Sequence, residues 1–437
     1  MTDLPPGAPT PWAPPPAGTV TVYRGATLFD GTGSAPRPGT TIVTDGATLH
    51  TVADDADPLP AIAADAPQVD LDGRFVVPGL VDTHQHLATP PNRPVAEAVL
   101  RRLAYSGVTA IRDMADDLRH IGDLARAALI GEIPGPDIRY AALMAGPTFF
   151  DDPRTHSVSQ GAEPGAVPWM QAITPDTDLR IAVALARGTH AAAIKVYADM
   201  DAGTVAAITA EAHRQNIPVW AHAAVFPASP GEVVAAGVDS VSHVTLLAFE
   251  NSAAPLSHYK TKPPVEYDRF AGSDDPHLAA LFAAMRERGT ILDATASMWT
   301  SDELRGDTAE SVERARLNAE LAAVVTAQAH RAGVAVVTGT DYETDPGDPF
   351  PALYDELAFL VERCGIPTAD VLRSATLVGA RAAGIDAIAG SVEPGKLANF
   401  AVLDESPLAD IRNLRSITTT VKRGHRYDRA EFEKEGQ

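Results

Sequence analysis

Cysteine is almost absent: Cys364 is the only one in 437 residues. An intrachain disulfide is therefore excluded, and a reducing, cytoplasmic setting is the expectation. Positive charge is scarce too. Six residues are lysine, and 35 basic residues face 57 acidic ones, a formal net charge of −22. Nucleic acid and anionic membrane surfaces require positive patches, so neither is expected as a main partner. No apolar run approaches the ~18 residues of a membrane-spanning helix. The opening MTDLPPGAPTPWAPPPAGT has neither a basic nor an apolar region and does not read as a secretory signal. Apolar material is not short: 45% of residues are hydrophobic and 21% charged, a globular composition.

The organisation changes along the chain. Residues 1–18 are Pro/Ala-rich and read as a flexible tail. Over 19–74, short strand-like runs (Thr19–Tyr23, Thr40–Val43, Thr48–Val52) alternate with Gly, Pro and Asp, the pattern of small antiparallel β-structure. From Phe75, apolar runs alternate with helical patterns. The runs are Val76–Thr83, Val108–Arg112, Ile138–Ala145, Ala191–Tyr197, Ile217–Ala221, Ser240–Ser242, Thr290–Ala294 and Val334–Thr340. Between them, Val205, Ile208 and Ala212 share one helical face, as do Leu317, Leu321, Val324 and Val325, and then Leu353, Leu357, Leu360 and Val361. Eight β-then-α units over 75–384 read as a (β/α)8 TIM-type barrel, with an open doubly wound sheet as the alternative. Residues 385–428 return to β-like text and are expected to join 19–74 in a small discontinuous β-sandwich domain. Residues 429–437 read as a charged tail.

In such a barrel the working residues sit at the C-terminal ends of the strands. The first run ends in His84-Gln85-His86, and residues two apart on a strand point the same way. The fourth holds Lys195 inside an Ala/Ile/Val run. The fifth ends in His222, the sixth in His243 and the eighth in Asp341. Singly, His222 and His243 suit a core and Asp341 a helix N-cap. Together, four imidazoles, a lysine and a carboxylate meet at one mouth. Imidazole and carboxylate suit Zn²⁺ and similar divalent ions. Burial lowers a lysine's pKa, and a neutral amine can take up CO2 as a carbamate, an anionic ligand able to bridge two metals. A structural lysine paired with a carboxylate is the alternative for Lys195.

VVPGLVDTHQH, IKVYAD, VWAHA, SVSH and TGTD resemble the strand-end motifs of the amidohydrolase superfamily. GVTAIRDMAD resembles its second strand, and GSVEPGKLANFAVLDESPLADIRNL its C-terminal signature. The likeness runs from about residue 19 to 428 and is nearest to the imidazolonepropionase-like branch that also holds Xaa-Pro dipeptidases. It implies a (β/α)8 barrel, a flanking β-sandwich and a one- or two-metal centre. His84, His86 and Asp341 would bind the more buried metal, N6-carboxylated Lys195 would bridge two Zn²⁺, and His222 and His243 would bind the second. Two departures stand out. Asn399 replaces the usual Asp of the tail signature, expected to be a surface matter. After His222 comes Ala223-Ala224-Val225, without the proton-shuttling Glu of the deaminase branches, which favours hydrolysis over deamination.

The implied activity is hydrolysis of an amide C–N bond in a small molecule, a dipeptide such as Xaa-Pro or an N-acyl amino acid. A metal-bridging hydroxide would be the nucleophile, Asp341 would pass its proton to the leaving nitrogen, and Tyr197 would either donate to the oxyanion or serve equally well in barrel packing. A cyclic-amide or lactone hydrolase using the same site is the alternative, and a non-catalytic metal-binding scaffold comes third. For substrate binding the candidates are Arg112, which could instead make a structural ion pair with Asp113 or another acid, His156 and Tyr259. The last two lie in the long loops Gly146–Asp178 and Thr245–Asp275. A homo-oligomer is compatible with the class, though no interface is legible.

Overall fold

The apolar runs after Gly79 form eight parallel strands in a nearly closed barrel. They are Leu80–Gln85, Val108–Asp113, Asp137–Ala145, Ala193–Val196, Val219–His222, Ser240–Ser242, Ile291–Asp293 and Val336–Val337. This computed structural model describes residues 14–272 and 274–435. Each strand pairs in parallel with its neighbour in chain order. The eighth returns to the first through Thr83 N donating to Thr338 O (3.0 Å) and Asp341 N donating to His84 O (2.9 Å). Helices cover the outside, as the βαβ crossover requires. Several start on an aspartate: Asp201 accepts from Thr204 N, and Val205, Ile208 and Ala212 of that helix are fully buried. Val324 departs from expectation. It is 38% exposed, because the buried stripe of the long helix Ala309–Arg331 runs through Ala322, Val325, Thr326 and Ala329 and leaves Val324 beside it.

The run Val76–Thr83 divides between two sheets. Phe75–Pro78 lies against Val20–Leu28 and Phe400–Leu403, and the barrel strand starts only after Gly79. The smaller domain is one mixed sheet from both chain ends, ordered His425–Asp428, Ile417–Lys422, Phe400–Leu403, Phe75–Pro78, Val20–Leu28, Arg37–Asp45, Thr48–Asp54, with Gln68–Asp70 also beside Val20–Leu28. Strand alternation gives it two faces. Phe400 and Val402 pack with Tyr23, Leu28 and Ile42, whereas Ala401 and Leu403 join the barrel core. Thus the sheet shares hydrophobic surface with the barrel. Asn399 is buried, not a surface residue, and its Oδ1 accepts from Arg423 N at 2.7 Å. Residues Arg429–Glu435, read as a charged tail, form a helix that sets Phe432 against Tyr105 and Tyr427. The expectation for residues 1–18 falls mostly on 1–13, outside the described residues.

A buried ion pair joins the domains. Lys422 is fully buried, with Nζ 2.9 Å from Asp137 Oδ1 and donating to Ala128 O at 3.0 Å. Arg423 Nη2 lies 2.8 Å from Asp137 Oδ2. Burial alone would raise the Asp137 carboxyl, but Lys422 and Arg423 outweigh it and hold the group below its ordinary range. A depressed folded-state pKa gives stabilisation that is full above the unfolded value and lost as pH falls through the folded one. Asp137→Asn, which strands a buried ammonium, is expected to lower unfolding stability by ~3 kcal/mol at neutral pH, read from urea midpoints. Lys422→Met removes the charge itself and is expected to cost less. Equal losses from the two would show that the stranded charge does not matter.

Candidate metal centre

Five of the six donors crowd one point at the C-terminal mouth, and the sixth is felt there through its charge. Asp341 Oδ1 lies 3.5 Å from both His84 Nε2 and His86 Nε2, and its Oδ2 lies 3.8 Å from His243 Nδ1. Donor atoms of His84, His243 and Asp341 all fall within 4.8 Å of one another. The His222 ring is 4.7 Å from that of His243 and 4.0 Å from that of Tyr197. Lys195 is fully buried, and its charge acts on His84, His222 and His243. Two of the candidate ligands are held in left-handed backbone, His243 at φ 71° and Asp341 at φ 60°. That conformation is costly for a side-chain-bearing residue and persists only where the surroundings impose it.

Carboxylates outside the donor set fix the imidazoles. Asp293, at the end of the seventh strand, is fully buried and lies 2.7 Å from His84 Nδ1. Its oxygens also accept from Thr83 Oγ1 (2.9 Å) and Ser242 Oγ (2.9 Å), and Arg112 Nη2 stands 3.1 Å away. The pair is so close to the eighth strand that a Cβ on Gly339 would come within 2.1 Å of Asp293 Oδ1 and 2.6 Å of His84 Cβ. Only glycine fits there. Asp116 plays the same part for His86, 2.9 Å from its Nδ1. In both rings the anchored Nδ1 leaves Nε2 facing Asp341. Asp82 ties the first strand to the eighth through Thr340 Oγ1 (3.0 Å) and Thr340 N (3.2 Å).

The donor set fits a divalent metal. Burial, followed by the charge of Lys195 or a neighbouring imidazole, holds His84, His222 and His243 well below the ordinary imidazole range, so they are neutral and able to ligate. His86 differs: burial pulls it down, but Asp116, Asp341 and Asp113 take it up to about 9. Burial raises the Asp341 carboxyl to about 6 against the pull of His86 and Lys195. Burial also lowers the Lys195 amine to about 7. Among the described residues, neither Lys195 Nζ nor His222 Nδ1 has a hydrogen-bond partner. Two orphaned buried nitrogens beside a carboxylate and imidazoles suit a cation bound between them.

The centre opens on a cavity of about 450 Å³ walled by Leu143, Phe149, Met170, Tyr259 and Trp299. A cleft of about 460 Å³ at the opposite mouth of the barrel, between Arg286, His330 and Arg373, has no comparable convergence of donors. Tyr197 and Tyr259 both line the site cavity, their rings 5.7 Å apart. Burial first, then the charges of Tyr259 and Asp341, keep the Tyr197 hydroxyl protonated well above its ordinary range. Arg112 does not reach the cavity. It is fully buried, Nε donates to Thr83 O at 2.7 Å and Nη1 to Ser240 Oγ at 3.0 Å. Its ion pair is structural and made with Asp293, since the end of strand two points into the barrel core. His156 does not line the cavity either: it is exposed on the helix Pro153–Ser159, while Arg154, Thr155 and Val158 of that helix face the cavity.

A (β/α)8 barrel with histidines, a lysine and a carboxylate converging at its strand ends defines a barrel enzyme with a candidate metal site at its mouth. The Amidohydrolase family model matches residues 75–426, and the chain belongs to that family of carbon–nitrogen bond hydrolases, which generally use divalent metal. Solved structures similar to it include a putative prolidase from Bifidobacterium longum, 25% identical, with TM-score 0.70 over 96% of this chain and 100% of that one. The A. niger ochratoxinase is 22% identical, with TM-score 0.73 over 94% and 96%. A prolidase complexed with N-methylphosphonate-L-proline is 22% identical, with TM-score 0.72 over 94% and 100%. None of the curated proteins compared with the chain matches it. Among the described residues, no helix is long and apolar enough to cross a membrane.

The anchoring carboxylates lead to a direct expectation. Asp116→Asn and Asp293→Asn should each weaken divalent-metal affinity ~10–100-fold, measured by competition with a chromogenic chelator. Affinity unchanged in both variants would mean the imidazoles need no anchor.

Proposed function

We propose that this protein hydrolyses the amide C–N bond of a dipeptide such as Xaa-Pro or of an N-acyl amino acid, at a centre of two Zn²⁺ ions. His84, His86 and Asp341 would hold one ion, His222 and His243 the other, and N6-carboxylated Lys195 both. The observation that carries this reading is the fully buried Lys195 amine with no partner among the described residues. A permanent ammonium there would be costly, and a neutral amine is the form that takes up CO2. Bound at this place, the metals would lower the pKa of a water and polarise a carbonyl oxygen.

The chain's own groups divide the remaining work. Asp341 faces three imidazoles and has its carboxyl raised toward neutrality, so it is suited to accept a proton from water and release it to the leaving nitrogen. Tyr197 keeps its proton and lies against His222, in position to donate a hydrogen bond to the oxygen that becomes negative. Phe149, Met170, Tyr259 and Trp299 narrow the cavity and limit water around the scissile bond. The loops carrying Phe149 and Tyr259 meet over the site, with Lys260 Nζ 3.5 Å from Asp152 Oδ2.

The test is a panel of Xaa-Pro dipeptides, N-acyl amino acids, hydantoins and lactones, assayed with the zinc-loaded enzyme. Amide substrates are expected to be cleaved, with Asp341→Asn lowering kcat ~10³-fold and Tyr197→Phe ~10²-fold. Turnover confined to lactones would overturn the amide assignment. Tyr197→Phe at wild-type kcat would remove that residue from the mechanism.

A further inference from the structure

The cleft at the opposite mouth of the barrel holds no metal-ligating cluster, but it gathers the charge that the chain otherwise lacks. Arg286, Arg373 and Arg381 line it together with His330, around a volume of about 460 Å³. The chain carries a formal net charge of −22 and 57 acidic residues. Exposed helical arginines elsewhere reach one of those acids, as Arg93 does with Glu97, Arg126 with Glu132 and Arg214 with Glu211, each at 2.6 Å. Arg286, Arg373 and Arg381 have no carboxylate within ion-pair distance among the described residues. Asp370 is the one acid in the lining, and it faces His330 Nε2 at 3.2 Å.

The backbone is built to bring these side chains together. Arg286 lies in the last turn of the helix Pro276–Arg288, and His330 in that of Ala309–Arg331. Arg286 is steadied by its Nη1, which donates to Ala332 O at 3.2 Å. Arg373 and Arg381 belong to one helical stretch, 368–382, whose middle, Ser374–Val378, is a π turn. In an unbroken α-helix two residues at that separation would point about 80° apart. A π turn inserts one extra residue into the ladder, so the two take the relation of residues seven apart, which share a face. Such turns are rare and recur at functional sites. A cation near a helix C-terminus is favourable by itself, which suits Arg286, His330 and Arg381 singly. It gives no reason for Arg373, in the middle of its stretch, to face the same cleft.

We infer that this cleft binds the phosphate group of a small ligand, either free phosphate or a phosphate monoester, at a place separate from the metal centre. Guanidinium forks match phosphate oxygens in bidentate pairs, and a dianion with several acceptor oxygens can engage more than one fork. Since Asp370 is occupied with His330, the arginines leave positive charge for that dianion to balance. The floor suits an apolar body attached to the phosphate, because Met285, Val334 and Val336 lie buried beneath the arginines. The volume falls in the range of small-molecule sites. The floor is also where strands seven and eight begin, so a ligand there ties the surrounding helices to two barrel strands and stabilises the folded state. This site does not rest on the amide-hydrolase reading and stands or falls separately from it.

The experiment titrates purified full-length protein with inorganic phosphate and phenyl phosphate by calorimetry, beside phenol and succinate, at about 0.15 M salt. At least one of the two phosphates is expected to bind with Kd below ~1 mM, and phenol and succinate at least ~10-fold more weakly. Tighter binding of phenyl phosphate identifies a monoester as the ligand, and equal or tighter binding of inorganic phosphate identifies the free anion. Arg373→Ala and Arg381→Ala should each weaken phosphate binding ~10-fold or more, with zinc content unchanged and Arg373→Lys keeping part of the affinity. Both arginines are exposed, and folding of the variants is checked by circular dichroism. Arg180→Ala, which removes a surface arginine paired with Asp178, should change nothing. Phosphate captured by the metal centre instead would bind both alanine variants as it binds wild type, and that result would overturn the site. So would the absence of binding at ~10 mM ligand, or succinate binding as tightly as phosphate.

Discussion

The carboxylate of Asp293 is the point on which the site depends. It carries a full set of partners from other strands: Thr83 and His84 from the first, Arg112 from the second and Ser242 from the sixth, with Gly339 of the eighth pressed against it. A carboxylate fully removed from water is tolerated only when paired and hydrogen-bonded, and Arg112 together with three donors meets that condition. The same contacts that make Asp293 acceptable orient the His84 ring. Closure of the barrel and aim of the ligand are therefore one event. Replacing Gly339 would disturb both, since the strand could not approach.

Lys195 is the opposite case. Its neighbours include a carboxylate and three imidazoles, yet its nitrogen is left without a partner in a wall of Ala, Ile and Val. Natural interiors rarely leave a cation in that condition. A carboxylated side chain would resolve the mismatch by converting a poorly placed cation into an anion facing metal. The orphaned Nδ1 of His222, on the adjacent strand, would be met by the same metal. The site is thus incomplete in its protein groups alone, in the way a metal centre is before its ion is considered.

Much of this was legible in the sequence, for identifiable reasons. Strands buried on both faces appear as unbroken apolar runs, so a charged or imidazole residue in or at the end of one, such as Lys195, His222 or His243, is conspicuous. Asp293 ends the seventh run by the same rule and was open to the same reading. Asp116 was not, because it acts from an irregular segment after Asp113 where no period marks it. Arg112 looked like a substrate group because it ends a strand, but side-chain length lets arginine turn back and fold into the core. Arg154 and Lys262, which line the cavity, sit in two insertions far apart in sequence, one on a short helix and one in a loop, with no strand-end position to mark them. The boundary at Gly79 was hidden because Val76, Val77, Leu80 and Val81 form one apolar text while serving two sheets.

The central claim is that Lys195 joins two metal ions at this mouth. The most direct measurement is the zinc content per chain of enzyme reconstituted in bicarbonate buffer, by elemental mass spectrometry, for wild type and Lys195→Ala. The account predicts two zinc ions for wild type and no more than one for Lys195→Ala, with the variant still folded by circular dichroism. Wild-type protein that retains no divalent metal, or a Lys195→Ala variant that holds two as firmly as wild type, would contradict it.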